Sequence, residues 1–271
     1  MFKSAVTMMI PLLFASVGGL FPVLAGTLNI ALEGLLLAGA FSSLAVYYAT
    51  GSVFSAITAG IITGTALSAL HAFAVFKLRA NLFISALAVN LFSSGLCVVF
   101  SDKLFGTRGV VVSENVTGLQ KWYVIAGIIT LAVSWLAIYK TPFGYRLRAC
   151  EKDVCALVSL GIRPQAYQTT ALLISGFLCG IGGSFLSLNL GAFVPGMSAG
   201  KGWIALAVIF LGGRNPLGVL FAAFIFSLAE AFSNYSQGFM SLPADFLLAF
   251  PYITALIALI FISIFPRRGT N

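Results

Sequence analysis

The chain has 271 residues, 60% of them hydrophobic and 8% charged, with a mean hydropathy of +1.05; a soluble domain carries about 25% charged residues. About 160 apolar residues, at about 20 per crossing, suffice for roughly eight helical spans, which excludes a soluble globule. The net charge of +8 is the surplus that the positive-inside rule places in loops, so nucleic acid need not be invoked.

The whole chain, 1–271, reads as one transmembrane domain, because no polar connection reaches the about 50 residues a separate domain needs. Residues 4–32 carry no charge, but Pro11, Gly18, Gly19, Pro22 and Gly26 interrupt them, which predicts a broken helix. A cleaner span follows over 28–48, and further spans are expected over 53–76, 82–101, 121–140, 167–190, 216–237 and 246–265. The piece 203–213 is short: as a helix it rises about 16 Å, half a hydrocarbon core. It is either a tilted span extended by irregular backbone or a re-entrant half-helix. Irregular backbone survives at membrane depth only when buried in protein or lining a wet cavity, so this segment is a candidate pathway wall. The expected fold is therefore all-α and polytopic, with eight full helices and one short one.

Orientation follows from basic residues in short loops. Lys140, Arg146, Arg148, Lys152 and Arg163 lie in 140–165, Lys77 and Arg79 in 77–81, and Arg267 and Arg268 in the C-terminal tail. These three places are expected to face the cytoplasm. The 102–121 loop, with Lys103, Arg108 and Lys121 against Asp102 and Glu114, is balanced enough to be external. Counting back from an internal C-terminus puts Arg214 inside and the N-terminus outside, provided that 203–213 crosses. Gly60 with Gly64, and Gly176 with Gly180, have the spacing that lets helices approach closely in lipid.

Ionisable groups inside spans are functional suspects, because each costs about 2.5–3.5 kcal/mol at a helix centre. Glu33, His71 and Glu230 are such groups. Glu33 follows the break at residues 26–29; it either satisfies freed backbone amides or caps the second helix, where the dipole favours a carboxylate, or it touches a ligand. His71 reads as a hydrogen-bonded interface residue, and Glu230 as a group reaching the membrane edge. Cys97, Cys150, Cys155 and Cys179 lack paired-ligand spacing and read as apolar fillers. The stretch 196–202, GMSAGKG, fails as a phosphate loop: only three residues separate the first two glycines, and Gly202 stands where Ser or Thr must bind the metal. No catalytic motif is present, so an enzyme is not expected.

The loop 141–165, TPFGYRLRACEKDVCALVSLGIRPQ, is the most informative. Pro142 and Gly144 stop one span, an amphipathic segment of mixed charge ends at Gly161 and Ile162, and Pro164 precedes the next span. A short helix lying across such a loop can dock into a groove on a soluble partner.

Four stretches together resemble the bacterial ABC-importer permeases of the nucleoside and simple-sugar type, related to the ribose and branched-chain amino acid permeases. They are AGTLNIALEGLLLAGAF (25–41) with its preceding glycines, LRAN (78–81) leading to Asn90 and Leu91, the 141–162 loop with its Gly-x-Arg-x-Arg-Ala pattern, and GMSAGKGWIALAVIFLGGRNPLG (196–218). Two departures stand out. Pro22, Val23 and Leu24 replace a charged Ser-Glu-Arg, and residues 151–154, Glu-Lys-Asp-Val, replace Gly-Glu-Asn-Pro.

The resemblance implies a bundle like the vitamin B12 importer permease with a cytoplasmic coupling helix, in which Gly144, Arg146, Arg148, Ala149, Glu151, Gly161 and Ile162 meet the ATPase. It implies as partners a cytoplasmic ATP-binding subunit, a second and unlike permease subunit, an extracytoplasmic substrate-binding protein and the lipid bilayer of the bacterial inner membrane. No cofactor is expected on this chain; ATP and Mg belong to the partner ATPase. Nucleosides, riboflavin and simple sugars are the candidate substrates. Polar or aromatic groups at breaks or within spans are the pathway candidates: Asn29, Glu33, Asn90, Ser93, Ser94, Asn189 and Trp203. The alternative is an ion-coupled secondary transporter of a small polar solute, against which the lack of paired intramembrane carboxylates counts.

Overall fold

The computed structural model describes residues 2–113, 118–236 and Ile253. Within them are seven helices long and apolar enough to cross a membrane: α1 Phe2–Leu24, α2 Leu32–Thr50, α3 Val53–Phe76, α4 Leu82–Phe105, α5 Leu119–Lys140, α8 Pro164–Leu190 and α10 Pro216–Ser236. Three shorter helices complete the set: α6 Pro142–Lys152, α7 Val154–Ser159 and α9 Lys201–Leu211. The expected span 246–265, the tail with Arg267 and Arg268, and Glu114 lie outside the described residues.

Helix α1 continues through Pro11 and Pro22, so the break expected somewhere in 4–32 is confined to residues 25–31. Thr27 holds the end of α1: its N–H and its hydroxyl both donate to the Pro22 carbonyl, at 2.9 and 3.2 Å. Helix α8 is central, packed against α1, α2 and α3. The α3–α8 contact is made by the two glycine pairs. A Cβ on Gly64 would lie 2.5 Å from the Gly176 carbonyl oxygen, and one on Gly180 would lie 2.4 Å from that of Gly60. Without a hydrophobic push between helices in lipid, such backbone contact is what holds the crossing.

Thr141 alone separates α5 from α6; its hydroxyl accepts the Gly144 N–H at 3.3 Å, and Pro142 opens the helix. The loop expected to hold one amphipathic helix holds two, because Asp153 ends α6 with non-helical backbone and caps α7 by accepting the Ala156 N–H at 2.9 Å. One small β element joins the helices. Val111–Val112 (β1) pairs antiparallel with Ala192–Phe193 (β2), tying the α4–α5 connection to the end of α8.

The helices thus alternate between two ends. Lys77, Arg163 and α7 share one, the basic end, and the β ribbon marks the other.

Candidate functional site

Two segments of irregular backbone enter the bundle from opposite ends and meet. Residues 25–31 leave α1 at the basic end, where Gly26 lies against Glu151, and lead to the start of α2. Residues 194–200 leave β2 at the ribbon end and lead to the start of α9. Here the short segment proves to be a crossing made half of turns and half of helix, since α9 ends in a turn whose Arg214 reaches Glu151 of α6. Arg214 therefore shares the end of the 140–165 loop, as the span count requires. From that turn, the 11 residues of α9 rise about 16 Å, which puts its first residue deep inside the bundle.

The starts of α2 and α9 pack on one another; a Cβ on Gly202 would lie 2.3 Å from the Glu33 backbone nitrogen. Each start has unpaired N–H groups and the positive end of a helix dipole. Glu33 resolves this for α9. Its carboxylate accepts the Gly200 N–H at 2.9 Å and the Gly202 N–H at 2.7 Å. Glu33 does satisfy freed amides, but those of α9 and not those of its own helix. The loop that superficially resembles a phosphate cradle is thus occupied by the chain's own anion.

The amides around α2 are served by asparagines. Asn29 Oδ1 accepts the Ala31 N–H at 3.0 Å while its Nδ2 donates to Ser175 Oγ at 2.9 Å. Asn90 of α4 accepts the Gly34 N–H at 2.8 Å and donates to the Ile30 carbonyl at 3.0 Å. Both candidates spend their side chains on the frame of the break. Ser93 is buried beside Asn90 near Gly34, with no partner for its hydroxyl among the described residues. Ser94, Asn189 and Trp203 face outward. The structure therefore does not gather the pathway candidates into one cluster.

Glu230 does not simply reach the membrane edge. It pairs with Lys201, the first residue of α9, and only 9% of the lysine side chain and 22% of the glutamate side chain are accessible. His71 behaves as expected, with Nδ1 at 2.9 Å from Ser85 Oγ between α3 and α4. Cys97, Cys150 and Cys179 are buried as fillers, but Cys155 is exposed on α7. Among the described residues no group of three or more His, Cys, Asp or Glu could hold a metal ion.

At the basic end, Arg146 donates to the Tyr167 hydroxyl at 3.0 Å. Arg148 stacks on Tyr139 and Tyr145 at 5.0 and 5.1 Å. Gly144 sits where a Cβ would meet the Ala137 and Ile138 carbonyls. Ala149 is half-buried, whereas Gly161, with a left-handed φ of +73°, ends the α7 turn and leads to Ile162. Outward from this frame project Tyr145, Val154, Val158 and Leu160, each at least 45% exposed. A groove of about 410 Å³ runs between α6 and α7, lined by Tyr145, Arg148, Lys152, Ala156 and Leu160.

A polytopic bundle with irregular backbone entering its interior from both ends, and a two-helix platform outside it, defines an integral membrane protein whose interior is built around paired helix breaks. Residues 1–263 match the family described as branched-chain amino acid transport system / permease component, and the chain belongs to that family. It is 31% identical over 277 residues to the nucleoside ABC transporter permease protein NupC of Lactococcus lactis, covering 92% of this chain and 87% of that one. It is 29% identical over 278 residues to the guanosine ABC transporter permease protein NupQ of Bacillus subtilis, with the same coverage. PsaBC from Streptococcus pneumoniae, solved in complex with Fab, shares the fold, with a TM-score of 0.53 at 16% identity over 95% of this chain and 90% of that one. The chain is thus a multi-pass ABC-transporter permease, a transport subunit and not an enzyme.

Proposed function

We propose that this permease forms the membrane passage of an ATP-driven importer for nucleosides. The observation that carries the reading is the 31% identity, along nearly the whole chain, to a nucleoside permease. Riboflavin and simple sugars, which also present polyhydroxyl groups, are the other substrates the resemblance allows. The α6–α7 platform supports the ATP-driven part of the reading. Val154, Val158 and Leu160 are exposed apolar residues beside basic ones, a composition suited to a protein groove.

In this reading the basic end faces the cytoplasm, the C-terminus lies there too, and an ATP-binding subunit carrying ATP and Mg docks on α6 and α7. A second, unlike permease completes the passage, and an extracytoplasmic binding protein delivers substrate to the ribbon end. ATP closes the partner subunits and displaces α6–α7, and the attached helices switch between outward and inward access. The permease supplies walls whose contacts differ between the two states. Ser94, Asn189 and Trp203 are the pathway candidates with surface to offer; Asn29, Glu33 and Asn90 keep the frame that presents it.

The test is uptake of labelled guanosine by cells lacking their own nucleoside uptake and supplied with this chain and its partner subunits. Uptake that disappears when the ATP-binding subunit is omitted supports the reading. Uptake that persists without it and follows an ion gradient instead establishes a secondary transporter.

A further inference from the structure

Arg214 sits in the α9–α10 turn with a left-handed backbone, φ +58°, a conformation that residues bearing a Cβ rarely adopt. Its guanidinium bridges two elements. One nitrogen donates to the Val23 carbonyl at the end of α1 at 2.9 Å and lies 2.5 Å from the Glu151 carboxylate of α6. The Val23 carbonyl, in the last turn of α1, already accepts the Gly26 N–H at 3.2 Å, and Arg214 supplies it with a second donor. Beside it the chain is tightly packed: a Cβ on Gly26 would lie 3.2 Å from Glu151 Cα, and Gln168 of α8 donates to the Ala25 carbonyl at 3.2 Å. Among the described residues, this is the one ion pair that joins α6 or α7 to another element.

From these contacts we infer that Glu151 and Arg214 are positioning residues forming the joint through which displacement of α6 reaches the membrane interior, with α9 as the strut. The inference rests on the reading that α6–α7 receives the thrust of an ATPase. Glu151, with 34% of its side chain accessible, then spends its carboxylate on its own chain. At the far end of the strut, Gly200 and Gly202 are fastened to Glu33, and Lys201 to Glu230. Movement of the Arg214 turn is thereby delivered to the starts of α2 and α9, where the two breaks meet.

The test uses the assembled transporter in liposomes, with labelled guanosine as substrate. A nitroxide at Phe210→Cys, in a Cys155→Ser background, reports on α9. Glu151→Arg and Arg214→Glu are each expected to lower guanosine transported per ATP hydrolysed by about tenfold and to abolish the ATP-dependent change at the α9 label. The charge-swapped double variant is expected to recover both in part, since a carboxylate at 214 restores the ion pair but cannot donate to the Val23 carbonyl. Should the single reversals not assemble, Glu151→Gln with Arg214→Gln, which leaves no lone charge, carries the same expected loss. Unchanged coupling and label response in the single or neutral variants overturns the inference, as does a loss that the swap does not lessen. Failure of the nucleoside reading looks different: the unsubstituted complex then moves no guanosine, while its α9 label still answers ATP. A label silent to ATP in the unsubstituted complex overturns the joint itself.

Discussion

The carboxylate of Glu33, in the first turn of α2, accepts the backbone N–H of Gly202 at the start of α9 at 2.7 Å. Two helix N-termini that would repel one another as positive dipole ends are thereby held together inside the bundle.

Glu33→Ala leaves the Gly200 and Gly202 amides without acceptors at a buried helix end, and hydrogen bonds to charged groups contribute about 1.5–3 kcal/mol each. A clearly lowered thermal midpoint of the purified permease in detergent is expected, with Glu33→Gln between that variant and the unsubstituted protein. Midpoints that coincide for all three contradict the capping role.

The Lys201–Glu230 pair makes a different prediction. Removing one partner strands a charge where few waters reach, a loss of about 3–5 kcal/mol for a buried pair. Lys201→Met and Glu230→Gln should each reduce the folded yield in membranes, and the double variant should lose less than the sum of the two. A double-mutant cycle that is additive rules out the direct interaction.

Helix α3 is tied to α8 through backbone contact, so a methyl group has nowhere to go. Gly176→Ala would set its Cβ 2.5 Å from the Gly64 carbonyl oxygen, and overpacking of this kind costs about 1–3 kcal/mol. Gly95 of α4 has nothing within 4 Å, and Gly95→Ala, in a helix interior where alanine is favoured over glycine, should equal or exceed the unsubstituted protein in thermal stability. Equal destabilisation of both variants would contradict the packing assignment.

Much of this was legible in the sequence where a single stretch carries the signal. The charge-free run 53–76 coincides with α3, and the short apolar run 203–213 overlaps α9, because hydrophobic length alone sets both. The break after α1 was foreseeable from Gly26, but not that Pro22 would stay inside the helix. Contacts between distant residues left no local trace. Lys201 lies within a loop that resembles a phosphate cradle, and nothing near it points to Glu230. Glu151 stands among charged residues of a loop that the resemblance assigns to the ATPase, and nothing near it in the sequence points to Arg214. Asn29 and Asn90 were recognisable as polar groups at membrane depth, but only the fold shows both ends of each amide engaged by backbone or Ser175. A β pairing of two residues per strand is too short for any periodicity to announce it.

Sidedness has a native probe. Cys155 is exposed on α7, while Cys150 of α6 is buried and its thiol is pushed up by that burial; a thiol reacts as the thiolate, so Cys150 needs higher pH. A membrane-impermeant maleimide at neutral pH should leave intact cells unlabelled and modify inverted vesicles at Cys155, with Cys155→Ser removing the signal. Labelling of intact cells at Cys155 reverses the assigned orientation.

The central claim is tested most directly in sealed proteoliposomes holding this chain with its partner permease and ATP-binding subunit, with the binding protein and labelled guanosine on the opposite side from ATP. The account predicts that guanosine accumulates against its gradient only when ATP is hydrolysed, and that ionophores collapsing proton and sodium gradients leave the rate unchanged. Accumulation that ignores ATP and collapses with an ion gradient would contradict it.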